Sequence, residues 1–245
     1  MAVVRLVRAA GLPALEMLRL EEALLRAGSG NWVLVNDGLP APAIVLGISG
    51  KPEVMLDVGR VARDRVQVLK RFSGGGTVIA DRDTVFVSLI LEEGTVDVEP
   101  YPRPIMGWTE GFYRPVFAPH APPGRPFALN DTDYAYGDLK FGGNAQYITK
   151  GRWLHHTSFL WDYQLARMRY LSHPPKEPDY RRGRSHGDFL CKLKDVMPGR
   201  SAFVEGVVAG LPTSLGLGEV VETSLEEAGR FRAVPHLQST KVIDV

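Results

Sequence analysis

Two stretches of this chain concentrate groups able to hold an anion. The first, KRFSGGGTVIAD at residues 70–81, sets Lys70 and Arg71 ahead of three consecutive glycines, Gly74, Gly75 and Gly76. Without Cβ atoms, the backbone N–H groups there can approach a phosphate or carbonyl oxygen closely, and a positive φ brings no strain. Arg71 could add a bidentate fork to phosphate oxygens. The second stretch, GDLKFGGNAQ at 137–146, repeats this economy of side chains with one lysine, Lys140, beside a glycine pair. A lysine over both an acyl carbonyl and a phosphate ester would stabilise the charge that develops when a carboxylate attacks an α-phosphate. Taken singly, each stretch reads as well or better as a turn with a solvated cation. Neither has the residue order of a P-loop or a dinucleotide-binding turn.

Three other residues could do chemistry. His155 and His156 are adjacent, and on a strand they would point to opposite faces, so at most one can meet a site. Cys191 is the only cysteine, which excludes an internal disulfide and a thiolate cluster around zinc. It could act as a nucleophile or be a buried free thiol. No metal site is expected.

The elements that must position these residues can be read in outline. Val3–Val7 suits a strand, and apolar residues recur at helical spacing after Pro13. Trp32–Val35, Ala43–Ile48, Val66–Leu69 and Thr84–Leu91 read as strands of one sheet, with a helix over Val54–Arg65. A helix is expected from about Ile105 to Phe117, then a β-meander over 127–161, then a helix from Tyr163 to Leu171 capped by Asp162. The proline- and charge-rich segment 173–188 reads as a long surface loop. Its Arg181, Arg182 and Arg184 could dock an acidic partner or close over a site. Helices over Ala202–Leu211 and Ser224–Phe231 flank a short strand, Glu219–Glu222.

Composition narrows the function. The chain has 245 residues, 44% hydrophobic and 23% charged, enough apolar material for a sizeable core. A formal net charge of +1 offers no field to recruit nucleic acid or a membrane surface. No apolar run approaches the roughly 18 residues of a membrane helix. Glu16, Glu21 and Glu22 interrupt the basic, apolar N-terminus early, so it reads as folded and not as a targeting peptide. A cytoplasmic protein with a small ligand or protein partner is expected.

With both glycine stretches in view, the sequence resembles the lipoate-protein ligase A family of the biotin/lipoate ligase superfamily. The family's first signature, R-R-x-S-G-G-G-x-V-x-H-D, is matched by Lys70, Arg71, Ser73, Gly74, Gly75, Gly76, Val78 and Asp81. The second, roughly N-D-L-x-x-x-x-R-K-x-S-G-x-A-Q, is met by Asp133, Lys140, Gly143, Ala145 and Gln146. A third, H-H-G-T, appears as His155, His156, Thr157 and Ser158. Leu20, Glu21 and Glu22 stand where the family's first helix carries an L-x-x-E-E-like pattern. Ala80, Thr132, Gly142 and Thr157 replace the family's usual histidine, asparagine, serine and glycine.

The resemblance implies an α+β fold with a mixed, largely antiparallel sheet flanked by helices, as one catalytic domain over residues 1–245. It implies that ATP, as its Mg2+ complex, activates lipoate or octanoate as an acyl-adenylate, which is passed to a lysine of a lipoyl-domain acceptor. Lys140 would be catalytic. Lys70, Arg71, Ser73, Gly74, Gly75, Gly76, Asp81, Asp133, Gly143, Ala145 and His156 would bind substrate or nucleotide, with His156 mainly structural. The family's C-terminal accessory domain has no counterpart here, so a separate accessory protein is expected, or only part of the reaction. The alternatives are an ATP-independent octanoyl or lipoyl transferase using Cys191, and a non-catalytic nucleotide- or acyl-binding module.

Overall fold

The computed structural model describes residues 3–214, 219–233 and 238–245. The chain opens with β1 (Val3–Arg8), α1 (Ala14–Arg26), β2 (Asn31–Asp37) and β3 (Ala43–Leu46), then makes two short helices, α2 (Pro52–Met55) and α3 (Val58–Arg63). Strands β4 (Gln67–Lys70), β5 (Val78–Ala80) and β6 (Thr84–Glu92) lead to the long helix α4 (Pro102–Phe117). The expected meander follows as β7 (Phe127–Asn130), β8 (Asp133–Tyr136), β9 (Leu139–Thr149) and β10 (Arg152–Leu160). Then come α5 (His186–Phe189), α6 (Arg200–Ser214), β11 (Glu219–Glu222), α7 (Leu225–Gly229) and β12 (Lys241–Val242). Among the described residues no helix is long and apolar enough to cross a membrane.

The described residues form two sheets, not the one expected from the strand pattern. The larger has eight strands in the order β11-β1-β2-β6-β10-β9-β8-β7, and the smaller has four, β12-β4-β3-β5. Only β1 with β11, β1 with β2, and β3 with β4 pair in parallel, so the fold is the mixed, antiparallel-rich α+β type. The reason for a second sheet lies in β6. Its residues Thr84–Leu91 are all buried, and a strand apolar on both faces needs cover on both sides. Val85, Val87, Leu89 and Leu91 face a core shared with Phe112 and Phe117 of α4 and Phe203 of α6. Phe86 and Ile90 face a second core, which α1 and the small sheet close with Leu18, Leu24, Val45 and Leu69.

Two helices differ from the sequence pattern. The run at 54–65 is broken because Leu56 is extended and bridges Leu171, while Asp57 caps α3 by accepting from Arg60 N at 3.0 Å. Asp162 does accept from Tyr163 N at 2.7 Å, but the following segment is a short 3-10 turn over Leu165–Tyr170. Ion pairs to Lys192 and Lys194, at 2.7 and 2.6 Å, occupy the same carboxylate. Burial alone would raise the Asp162 carboxyl, but hydrogen bonds from both lysines outweigh it and hold it at about 2.

Candidate active site

The glycine loop, the meander and α1 meet at a cleft of about 640 Å³. Its floor is one face of the large sheet, and strand parity selects the residues. On β10, Leu154, His156 and Ser158 share that face, while Trp153, His155 and Phe159 point into the aromatic core behind it. On β9, Gly143 and Ala145 lie opposite Ser158 and His156 and also line the cleft.

Lys140 reaches this face through a β-bulge. Residues 140 and 143 are an odd number apart, so strict alternation would put them on opposite faces. The pairing of β8 with β9 instead jumps from Tyr134↔Gly142 to Ala135↔Lys140, which leaves Phe141 as the extra residue. Phe141 is fully buried in the aromatic core, and Lys140 returns to the cleft beside Gly143. Gly142 explains one departure from the family pattern. A Cβ there would lie 3.1 Å from the Phe159 ring and 3.2 Å from Tyr134 Cβ, so a side chain would press on both residues by a few tenths of an ångström.

The ammonium of Lys140 is paired with Asp133 at 2.8 Å, and Tyr180 donates to the other oxygen of that carboxylate at 2.9 Å. Thr132 lines the same wall and its carbonyl accepts from Asn144 Nδ2 at 2.9 Å. Ala80, where the family has histidine, is packed in the second core and does not line the cleft.

Arg71 has a different role from the phosphate fork expected of it. The side chain is 4% exposed and turns under the loop. Its Nε and Nη2 donate to Gly74 O at 3.1 and 2.7 Å, Nη2 also to Gly76 O at 2.8 Å, and Nη1 to Val45 O at 3.4 Å. The guanidinium thus fixes the loop by its carbonyls, which leaves the loop's N–H groups unclaimed by Arg71. Burial pushes Arg71 down to about 10, with Glu21 opposing, so it stays cationic at neutral pH and borders the cleft. Gly75 has φ +96°, and a Cβ there would meet Arg71 Nη2 at 2.8 Å and Asn144 O at 2.9 Å. Gly47 packs so closely on the Gly75 carbonyl that no side chain fits there either, which accounts for glycine at the start of the GISGKP turn.

His156 lines the cleft and is held from behind. Its Nδ1 is 2.8 Å from Glu21 Oε1 and 3.1 Å from Ser88 Oγ, and Ser88 donates to the same Glu21 oxygen at 2.5 Å. The serine signals itself in the sequence as the one hydroxyl inside the apolar run Val85–Leu91, VFVSLIL. Glu22, next to Glu21, is used elsewhere and accepts from Ser239 N, Ser239 Oγ and Thr240 N at 2.8, 2.6 and 2.9 Å. His155, on the opposite face, contacts Tyr134 and Gln146, and burial together with the neighbouring His156 pushes it down to about 3. It is neutral at physiological pH.

The segment expected to be a surface loop folds over the cleft. Pro174, Pro178, Arg181, His186 and Phe189 all line it. Arg184 is pinned by backbone carbonyls, donating to Asp138 O at 2.8 Å and Tyr180 O at 2.9 Å. A free basic patch is therefore not what Arg181 and Arg184 form; only Arg182 of the three is exposed. Burial, with Arg181 and His173 nearby, pushes His186 down to about 4, so it too is neutral at pH 7.

Four expected ligands do not line the cleft. Lys70 lies in β4 opposite Leu46 and Lys241. Ser73 is buried, and its carbonyl accepts from Ile48 N at 3.0 Å. Gly74 gives its carbonyl to Arg71. Asp81 accepts from Asp83 N at 2.9 Å and pairs with Arg167, which makes it the organiser of the β5–β6 turn. Arg71, Gly75, Gly76, Asp133, Lys140, Gly143, Ala145 and His156 are brought together. Among the described residues, no group of three or more His, Cys, Asp or Glu is placed to hold a metal ion.

Cys191 is outside the cleft, packed against the aromatic core, with Sγ 3.4 Å from Leu139 O. Burial pushes the thiol up to about 12, so almost no thiolate exists at neutral pH. Intact mass spectrometry of the chain incubated with an octanoyl or lipoyl thioester is expected to find no acyl group on Cys191, since the thiolate is the nucleophilic form.

The α+β fold thus sets its glycine loop, α1 and the bulged lysine strand around a common cleft. Residues 13–213 match the lipoyl protein ligase A/B catalytic domain, and the chain belongs to that family. It is similar to the inactive lipoate-protein ligase 2 of Plasmodium falciparum, 27% identical over 200 residues. That match takes in 69% of this chain and 51% of the other, so the chain spans about half the length of that relative. Two solved structures share the fold. One is a lipoate-protein ligase A bound with ATP, at TM-score 0.76 and 18% identity, covering 97% of this chain and 94% of that one. The other is the bi-partite lipoate protein ligase from Thermoplasma acidophilum, solved in a study of an archaeal lipoylation system that includes its E2 lipoyl domain. It has TM-score 0.76 and 18% identity, covering 98% and 93%.

Proposed function

We propose that this chain is an ATP-dependent ligase that activates lipoate, or a related medium-chain acid, and transfers it to a lysine of a lipoyl-domain acceptor. The observation that carries this reading is the bulge that returns Lys140 to the cleft wall beside Gly143, in the same cleft as Gly75 and Gly76. The acid's chain would lie against Met17, Leu18, Val45 and Phe86. Its carboxylate oxygen attacks the α-phosphorus of Mg2+-bound ATP, the bond to the β-phosphate oxygen breaks, and pyrophosphate leaves. Lys140, drawn partly from Asp133, stabilises the negative charge on the α-phosphate and later on the carbonyl. The neutral ε-amine of the acceptor lysine then attacks that carbonyl, and AMP leaves with the bond electrons. No nucleophile from this chain is required, in keeping with the protonated Cys191. That protonated thiol, outside the cleft, counts against the ATP-independent transferase.

The structurally similar Thermoplasma ligase is described as bi-partite. Residues 1–245 are proposed here as one catalytic domain of such a ligase. A second reading, a binding module without turnover, is favoured by one feature: the Lys140 charge is already neutralised by Asp133 at 2.8 Å. The sequence similarity to a relative named inactive points the same way. The two readings separate in a pyrophosphate-exchange assay with ATP and a panel of acids including lipoate and octanoate. Acid-dependent exchange supports the ligase, and calorimetric binding without exchange supports the module.

A further inference from the structure

Arg181 is 4% exposed although it sits in a proline- and charge-rich segment. Arg182 at φ +53° and Gly183 at φ +70° make a left-handed turn directly after it, and the pinned Arg184 follows. Nε of Arg181 donates to Arg184 O at 3.0 Å and lies 3.5 Å from Glu177 Oε2, and the guanidinium lies 5.0 Å from the Phe189 ring centre. Its Nη2 is buried and has no hydrogen-bond partner, and the same is true of Thr77 Oγ1 at the end of the glycine loop. Both residues border, with Lys140, Gly143 and Ser158, a recess of about 90 Å³ that shares its walls with the main cleft. Buried donors are rarely left unmade. Of the acids beside Arg181, Asp133 is held by Lys140 and Tyr180. Glu177 gives Oε1 to Gly183 N at 2.7 Å, while its buried Oε2, 2.8 Å from His173 Nε2 and 3.5 Å from Arg181 Nε, makes no hydrogen bond and so does not satisfy the Arg181 Nη2.

We infer that Arg181 is a nucleotide-phosphate ligand, its free Nη2–H and the Thr77 hydroxyl receiving phosphate oxygens of the nucleotide bound in the cleft. A guanidinium suits carboxylate and phosphate alike. In the ligase reading the acid's chain would lie along Met17, Leu18 and Phe86, which border the main cleft and not the recess. The choice of nucleotide rests on the ligase reading above.

Calorimetry on the full chain tests it, with Mg·ATP, AMP, inorganic pyrophosphate and adenosine titrated into wild type, Arg181→Met and Arg181→Lys. Arg181→Met should weaken ATP about 10- to 100-fold, the scale of a lost charge-assisted contact, and leave adenosine within about twofold. Loss confined to AMP and ATP marks the α-phosphate as the partner, and loss confined to pyrophosphate and ATP marks the leaving group. Adenosine weakened as much as ATP would reduce Arg181 to a cap-folding residue, and unchanged ATP binding would remove it from the site; either overturns the inference. Should Arg181→Met unfold, Arg181→Lys decides, with a loss of at least about fivefold expected at unchanged melting temperature because the planar fork is gone. Wild-type chain that binds ATP but forms no adenylate refutes the ligase reading alone. Wild-type chain that binds none of the phosphate-bearing titrants overturns both.

Discussion

Lys140→Ala lowers acyl-adenylate formation by about 100-fold or more, the scale of removing one preorganised electrostatic contact from a developing charge. The effect should fall on kcat more than on KM, because Lys140 acts on charge that grows in the transition state. The substitution also leaves the Asp133 carboxylate, 5% exposed, with Tyr180 as its remaining side-chain partner. Losing one partner of a buried pair costs about 1–3 kcal/mol, so a modest fall in melting temperature is expected alongside. Lys140→Met combined with Asp133→Asn removes both charges together. It should recover most of that stability and none of the activity, which separates the chemistry from the packing. Adenylate formation within about threefold of wild type in the alanine variant would show that Lys140 is only a paired wall residue.

Gly75→Val disables the glycine loop. At φ +96° any L side chain is strained, and the new Cβ lies 2.8 Å from Arg71 Nη2 and 2.9 Å from the Asn144 carbonyl. The arginine end can shift, but the β9 backbone cannot, so the loop must lift away from Lys140's strand. Strain of this kind is about 1–3 kcal/mol, or a drop of about 2–6 °C for a chain of this size. Nucleotide affinity should fall by about 100-fold or more, well beyond that stability loss, because several backbone N–H groups leave their positions together. Equal losses in both, read by calorimetry and thermal melting, would mean that the loop is a turn and not a binding surface.

Part of the candidate site was legible in local residue types, while Asp133, Ala145 and His156 entered only through the family resemblance. Glycine runs and a lone lysine in a glycine-flanked strand announce themselves without tertiary information, and alternation alone divides His155 from His156. What the sequence hid was parity and burial. A bulge at Phe141 looks like any other strand residue until the β8 register is known. Arg71 reads as a phosphate fork, yet the fork closes on the carbonyls of its own loop. Lys70 and Asp81 flank the motif in sequence but face away from the cleft in space. The split into two sheets was carried by β6, whose eight buried residues demand cover on both faces. Composition makes segment 173–188 a surface loop that could dock a partner, close over a site or stay solvated, and it does not choose among these; the fold lays it over the cleft. Its inward arginine depends on a left-handed turn at Arg182 that carries no residue signature.

One measurement bears most directly on the proposed activity. The full chain is incubated with Mg·ATP and lipoate, and the reaction is followed by mass spectrometry for lipoyl-AMP, then for lipoylated acceptor domain after adding that domain with any accessory protein. The ligase reading predicts lipoyl-AMP and pyrophosphate in equal amounts in the first stage, dependent on Lys140, and a single lipoylated lysine in the second. ATP recovered intact, with lipoate and octanoate unmodified although calorimetry shows them bound, would contradict it.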